Sequence, residues 1–222
     1  MISEQIKELH KELPAGVELI AVSKFHPVED LREAYDAGQR IFGENHVQEL
    51  VAKQPQMPSD VEWHLIGHLQ TNKVKYIAPF VTMIQAVDSL KLLREIDKQA
   101  KKVGRVIPCL LELHVAQEES KFGFSPDELH AMLAEGEWKA LTNVNICGIM
   151  TMASFTDDTA QVRREFQLAR HTFEQTHKEF FSDSPSFCKL SMGMTHDYQI
   201  AIEEGATMVR VGTKIFGERQ YK

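Results

Sequence analysis

A chain of 222 residues is long enough for one substantial core, and 43% hydrophobic with 26% charged residues is the composition of a soluble globular protein. It has no run of the roughly 18 apolar residues that a membrane span needs, and Met1 to His10 lacks the apolar centre of a signal peptide, so the expected location is the cytoplasm. Lysine and arginine total 25 against 32 acidic residues, and the net charge of -7 argues against broad nucleic-acid binding while leaving room for a small anion held by local donors.

In chain order, Met1 to His10 reads as a short polar helix, after which short apolar runs alternate with longer amphipathic ones, the pattern of βαβ units and a parallel sheet. The first strand is expected at Val17 to Ser23 and the next three at Arg40 to Gly43, Glu62 to Gly67 and Met83 to Val87. Four more follow at Val106 to Val115, Val144 to Met150, Phe187 to Ser191 and Met208 to Val211. The helices between them are expected at Pro27 to Ala37, His46 to Lys53, Gln70 to Ala78, Ser89 to Lys102, Ser125 to Leu133, Asp158 to Phe181 and His196 to Glu204. Pro27, Asp88-Ser89 and Ser125-Pro126 supply start signals, and Gly38, Gly104 and Gly205 follow helix ends. Eight alternations in this length suit a single (β/α)8 TIM barrel over residues 1–222; a doubly wound open sheet is the rival. Cys109, Cys147 and Cys188 lie in separate apolar runs with no CxxC pair, so they read as reduced core thiols and no metal is expected.

Lys24 ends the first strand, where barrel enzymes keep their chemistry. Alternation puts it on the side of Ile20 and Val22. If that side faces the barrel interior, an apolar wall disfavours the ammonium and favours the neutral amine that condenses with an aldehyde. The alternative is a strand-end lysine reaching solvent.

At the other end of the chain, Ser191-Met192-Gly193-Met194-Thr195 follows the seventh strand, and Arg210-Val211-Gly212-Thr213 ends the eighth. Glycine lets backbone approach a ligand, and the hydroxyls of Ser191, Thr195 and Thr213 can donate. Barrel phosphate sites commonly use these two loops, although ordinary Gly/Thr turns share the composition. Barrel closure makes strand eight the neighbour of strand one. Pyridoxal 5'-phosphate (PLP) carries an aldehyde at one end and a phosphate at the other.

Several ordered stretches resemble the YggS/PROSC family of PLP-binding, PLP-homeostasis proteins. They are Ala21-Val22-Ser23-Lys24, Phe42 to Glu49, Trp63-His64-Leu65-Ile66-Gly67 with Gln70 to Lys73, Glu119-Ser120-Lys121, Leu190 to Met194, and Val209 to Gly217. The resemblance covers nearly the whole chain. It implies an alanine-racemase-type barrel of PLP fold type III without the extra β-domain of true racemases, and a covalent internal aldimine on Lys24. It further implies that Ser191, Met194, Thr195, Gly212 and Thr213 surround the phosphate, that Arg210 faces the pyridine nitrogen, and that Asn45 and His64 line the ring. Family members often follow the lysine with Thr and a second Lys, where this chain has Phe25 and His26.

An arginine at the pyridine nitrogen disfavours its protonation and weakens the electron sink. Racemases of this fold also take a tyrosine from the extra domain, whereas Tyr35, Tyr76, Tyr198 and Tyr221 lie away from the expected strand ends. The expected role is therefore holding PLP in vitamin B6 homeostasis without efficient turnover, with apo PLP-dependent enzymes as candidate recipients and a monomer as the simplest state. The alternatives are an amino-acid racemase using His64 or His114 and a PLP-free barrel acting on a sugar phosphate. Glu112 and His114 could pair as acid and base or serve as hydrogen-bonded structure. Lys121 is a candidate for a transient second PLP site. Met150, Met152 and Met192 read as core filling, and the arginines of the helix over Asp158 to Phe181 as a solvated face.

Overall fold

The alternating pattern resolves into eight parallel strands and their intervening helices in a computed structural model that describes residues 1–116 and 122–218. Helix α1 (Ile2–Glu12) precedes β1 (Glu18–Val22), which is followed by α2 (Val28–Asp36), β2 (Ile41–Glu44), α3 (Val47–Lys53) and β3 (Glu62–Leu65). Next come α4 (Val74–Ile77), β4 (Met83–Val87), α5 (Leu90–Lys102), β5 (Ile107–His114) and α6 (Pro126–Glu135). The remainder is β6 (Val144–Met152), α7 (Thr159–Phe180), β7 (Lys189–Met194), α8 (Tyr198–Glu203), β8 (Met208–Val211) and α9 (Thr213–Phe216). The strands pair in chain order and β1 closes on β8, with Ile20 opposite Arg210. Closure excludes the open sheet.

Local chemistry sets the helix starts. The Ser89 hydroxyl accepts from the Leu92 amide at 3.2 Å, and Ser125 and Glu128 form a reciprocal capping box. Strand alternation separates two apolar layers. Leu19 and Ala21 pack outward with the helices, while Ile20 points inward with Met83, Leu110, Cys147, Met150 and Met208. Lys24 continues the inward series through Val22, and both line the cavity at the carboxyl ends of the strands.

Several expectations need correction. The amino-terminal helix is amphipathic rather than polar, with Ile6 and Leu9 buried against α2 and the barrel. Residues 70–78 do not form one helix: Thr71–Lys73 is a 3-10 turn and α4 is a single turn after it. Cys188 is exposed, because it precedes β7, whereas Cys109 and Cys147 are buried. The seventh strand begins at Lys189 rather than Phe187 and runs past Ser191 to Met194, so Met192 to Met194 is strand and not loop. The register with β8 is irregular between Ser191 and Met194, where Gly193 adopts φ 95 and a Cβ would lie 2.6 Å from that of Ala201. Only glycine fits that bulge without displacing α8. The single-turn α9 lies beyond the expected elements. Among the described residues, no helix is long and apolar enough to cross a membrane and no cluster of metal-ligating groups occurs.

Candidate functional site

The carboxyl ends of the strands surround a cavity of about 860 Å³. Of the nine residues expected at the site, Lys24, Asn45, Met194, Thr195, Arg210, Gly212 and Thr213 line it. Closure of β1 on β8 brings Lys24 to the side of the wall formed by Gly212 and Thr213, and a Cβ on Gly212 would stand 3.2 Å from the Val22 carbonyl oxygen. Asn45 owes its place partly to Gly67, where a Cβ would fall 2.6 Å from the Asn45 carbonyl oxygen.

His64 and Ser191 are not in the cavity wall. Both are buried within the barrel, because β3 and β7 turn these residues inward below the strand ends. There they form a row behind Arg210. Arg210 Nη1 donates to Ser191 Oγ at 2.6 Å, Ser191 Oγ donates to Gln85 Oε1 at 2.7 Å, and Gln85 Nε2 donates to His64 Nδ1 at 2.9 Å. Arg210 Nη2 is fixed on the Thr151 carbonyl at 2.7 Å. Burial pushes His64 down to about 3, with the positive charge of Lys189 adding to it, so the ring is neutral and can accept at Nδ1. Burial likewise lowers Arg210, to about 10, which leaves a guanidinium at neutral pH.

Two amides near the expected phosphate position already have partners. The Met194 N–H donates to Asp197 Oδ1 at 2.5 Å, and the Gly212 N–H donates to Thr195 Oγ1 at 3.2 Å. The Thr195 hydroxyl thereby holds one of these amides and the Asp197 carboxylate the other. No tyrosine among the described residues lines the cavity. Tyr198 turns its hydroxyl to Glu12 and Tyr35 its hydroxyl to Asp60, both at 2.7 Å, and Tyr76 is half-exposed on α4. Glu119, Lys121 and Tyr221 lie outside the described residues.

The sequence reading missed the aromatic mouth. Phe122 stacks on His68 with centroids 3.8 Å apart, Phe155 meets His196 edge-on at 5.1 Å, and all four line the cavity from loops. Glu112 and His114 do not act as a pair: His114 Nε2 bonds the Ala116 carbonyl at 2.8 Å, whereas Glu112 faces the cavity. Glu112 is 4% exposed, and its Oε2 has no hydrogen-bond partner among the described residues. Burial, with the nearby Asp88 carboxylate, raises Glu112 to about 7 against the opposing pull of Arg210. Met150 and Met192 are core, as expected, while Met152 lines the cavity.

The model of the alanine racemase N-terminal domain matches residues 1–220. A pyridoxal phosphate homeostasis protein of Aquifex aeolicus is 42% identical over 205 residues, covering 91% of this chain and 87% of that protein. The human protein of the same name is 36% identical over 99% of this chain and 83% of its own length. Two structures of PipY from Synechococcus elongatus are 38% identical and cover 98% of this chain and all of theirs; the one without PLP superposes with a TM-score of 0.91 and the one with PLP bound with 0.88. An alanine racemase of Clostridium difficile shares the fold at a TM-score of 0.77 with 11% identity, and this chain covers 57% of it. The chain belongs to the alanine racemase N-terminal domain family, among the pyridoxal phosphate homeostasis proteins.

Proposed function

We propose that this chain holds PLP in the cavity as a Schiff base on Lys24 and takes part in intracellular PLP homeostasis without efficient turnover, apo PLP-dependent enzymes being the recipients. The observation that carries this reading is the meeting of an inward strand-end lysine with the hydroxyl and glycine wall of β7 and β8 in one cavity. The PLP-bound PipY structure supports the ligand assignment. The residues suit the molecule: a buried carboxyl with an unfilled oxygen and a fixed guanidinium give the floor polar contacts, and Thr195 and Thr213 offer hydroxyls to a phosphate.

PLP supplies an aldehyde and a ring that can withdraw electrons. The protein's part is placement. The Lys24 amine adds to the aldehyde carbon, the C=N bond forms, and the carbonyl oxygen leaves as water with both protons of the neutral amine. Arg210 is held by Ser191 and Thr151, and a guanidinium at the pyridine nitrogen opposes its protonation, which restrains carbanion chemistry. His64 and His114, the bases that the racemase alternative would use, are engaged elsewhere.

The test is an absorption spectrum of purified protein before and after borohydride, followed by peptide mapping. A reducible band fixed on Lys24 and absent from Lys24→Ala is the expected result. A phosphopyridoxyl group on another lysine such as Lys73 overturns the assignment, and robust amino-acid racemisation lost in Lys24→Ala overturns the homeostasis reading.

A further inference from the structure

The turn that displays Lys24 is held by a buried charged cluster outside the cavity wall. Lys53, at the end of α3, is 6% exposed and spends its ammonium on three acceptors: the Ser23 carbonyl at 2.7 Å, Glu44 Oε1 at 2.8 Å and Glu49 Oε1 at 2.6 Å. Each carboxylate oxygen then reaches back to the turn. Glu44 Oε1 accepts from the Ser23 hydroxyl at 2.6 Å, and Glu49 Oε1 accepts from the Phe25 N–H at 2.6 Å. The residues on both sides of Lys24 are gripped through backbone groups. Within the turn the His26 N–H donates to the Ser23 carbonyl at 3.1 Å, and Phe25 has φ 66. Phe25 is the only non-glycine residue with positive φ among those described, a conformation that an aromatic residue adopts only when its surroundings hold it there.

A buried ion pair joined by a second, partly exposed carboxylate, and a strained residue next to the lysine, are more than a strand end needs. Removing charges from water is costly, and a cluster of this kind is retained where it fixes one geometry. The geometry it fixes is the exit of β1, and therefore the direction of the Lys24 stem. We propose that Lys53, Glu44 and Glu49 are positioning residues that hold the Lys24 amine where it meets an aldehyde, controlling covalent capture separately from recognition of the rest of the ligand. This rests on the Schiff-base reading of Lys24. It also makes Lys53 a structural cation rather than a second site of capture.

Two ligands separate capture from recognition. PLP can condense with an amine, while pyridoxine 5'-phosphate keeps the ring and phosphate but carries an alcohol in place of the aldehyde. Borohydride-trapped PLP on Lys24 and calorimetric affinity for pyridoxine 5'-phosphate are measured on the parent chain, Glu49→Ala, Glu49→Gln and Lys53→Met. Glu49→Ala is expected to slow trapping at least tenfold while leaving pyridoxine 5'-phosphate affinity within twofold. Glu49→Gln, whose amide oxygen can still accept from Phe25, restores trapping to within about threefold of the parent. Lys53→Met loses more trapping than Glu49→Ala. Parallel loss of both ligands in Glu49→Ala, or trapping at the parent rate, overturns the positioning role while leaving the Schiff-base reading intact. A parent chain that yields no adduct on Lys24 overturns both.

Discussion

The two sides of the cavity mouth are built from different materials. On the side of β1 and β2, an ion cluster grips a strained turn: buried Lys53 between buried Glu44 and partly exposed Glu49, with Ser23 and Phe25 tied to them. On the side of β7 and β8 the wall is glycine, threonine hydroxyl and amide, where Gly212 bonds Thr195 and the Met194 amide bonds the Asp197 carboxylate, with the Arg210 guanidinium below them. On the Schiff-base reading the Lys24 amine must point one way, which a rigid support serves. A phosphate can be met by several donors at once, and a softer wall suffices.

The largest expected break in this contrast is in stability. Lys53→Met leaves two carboxylates without their cation and should cost about 3 to 5 kcal/mol in urea denaturation. Thr213→Val should cost under about 0.5 kcal/mol and instead weaken pyridoxine 5'-phosphate binding about tenfold, near 1.4 kcal/mol. Equal destabilisation by both changes would erase the distinction between the two sides.

The cavity floor provides the next effect. Glu112 titrates near 7 rather than near its usual 4.5, so the folded chain keeps that proton over a range in which the unfolded chain has released it. Its contribution is full below about pH 4.5 and lost as pH rises through about 7. Glu112→Gln removes this dependence, and its stability relative to the parent should improve by on the order of 2 to 3 kcal/mol between about pH 4 and pH 8. A difference that stays flat with pH would show that folding leaves the titration of this carboxyl unshifted. The smallest effect is at the strained turn. Phe25→Gly should stabilise by up to about 1 kcal/mol, and Phe25→Val should destabilise, when the two are compared by denaturation.

The barrel was legible in the sequence because each strand was a short apolar run and several helices carried their own caps. Lys24 was legible for the same reason, since counting by two from Ile20 sets its side. The end of the seventh strand was set too early, at Ser191, because the bulge at Gly193 lets β7 continue, and one glycine in a Gly/Met run does not distinguish a bulge from a turn. His64 was assigned to the ring from the resemblance, but its position in β3 points it into the barrel at Gln85. The Lys53 cluster could have been suspected from the spacing of Glu49 and Lys53 on one helix face, which is common on solvated helices and does not reveal burial. Phe122 and Phe155 sit on loops, where periodicity carries no signal.

The seam between β1 and β8 has a temporal consequence. Ile20 and Arg210 are side by side in the folded barrel but are separated by most of the chain, so the wall that faces Lys24 is synthesised long after the lysine itself. Until Met208 to Val211 is in place, β1 lacks one of its two strand partners and that side of the cavity has no wall. On the Schiff-base reading, a chain short of this strand offers its lysine to an aldehyde without the wall that would recognise the rest of the ligand. Selectivity is acquired with the final strand.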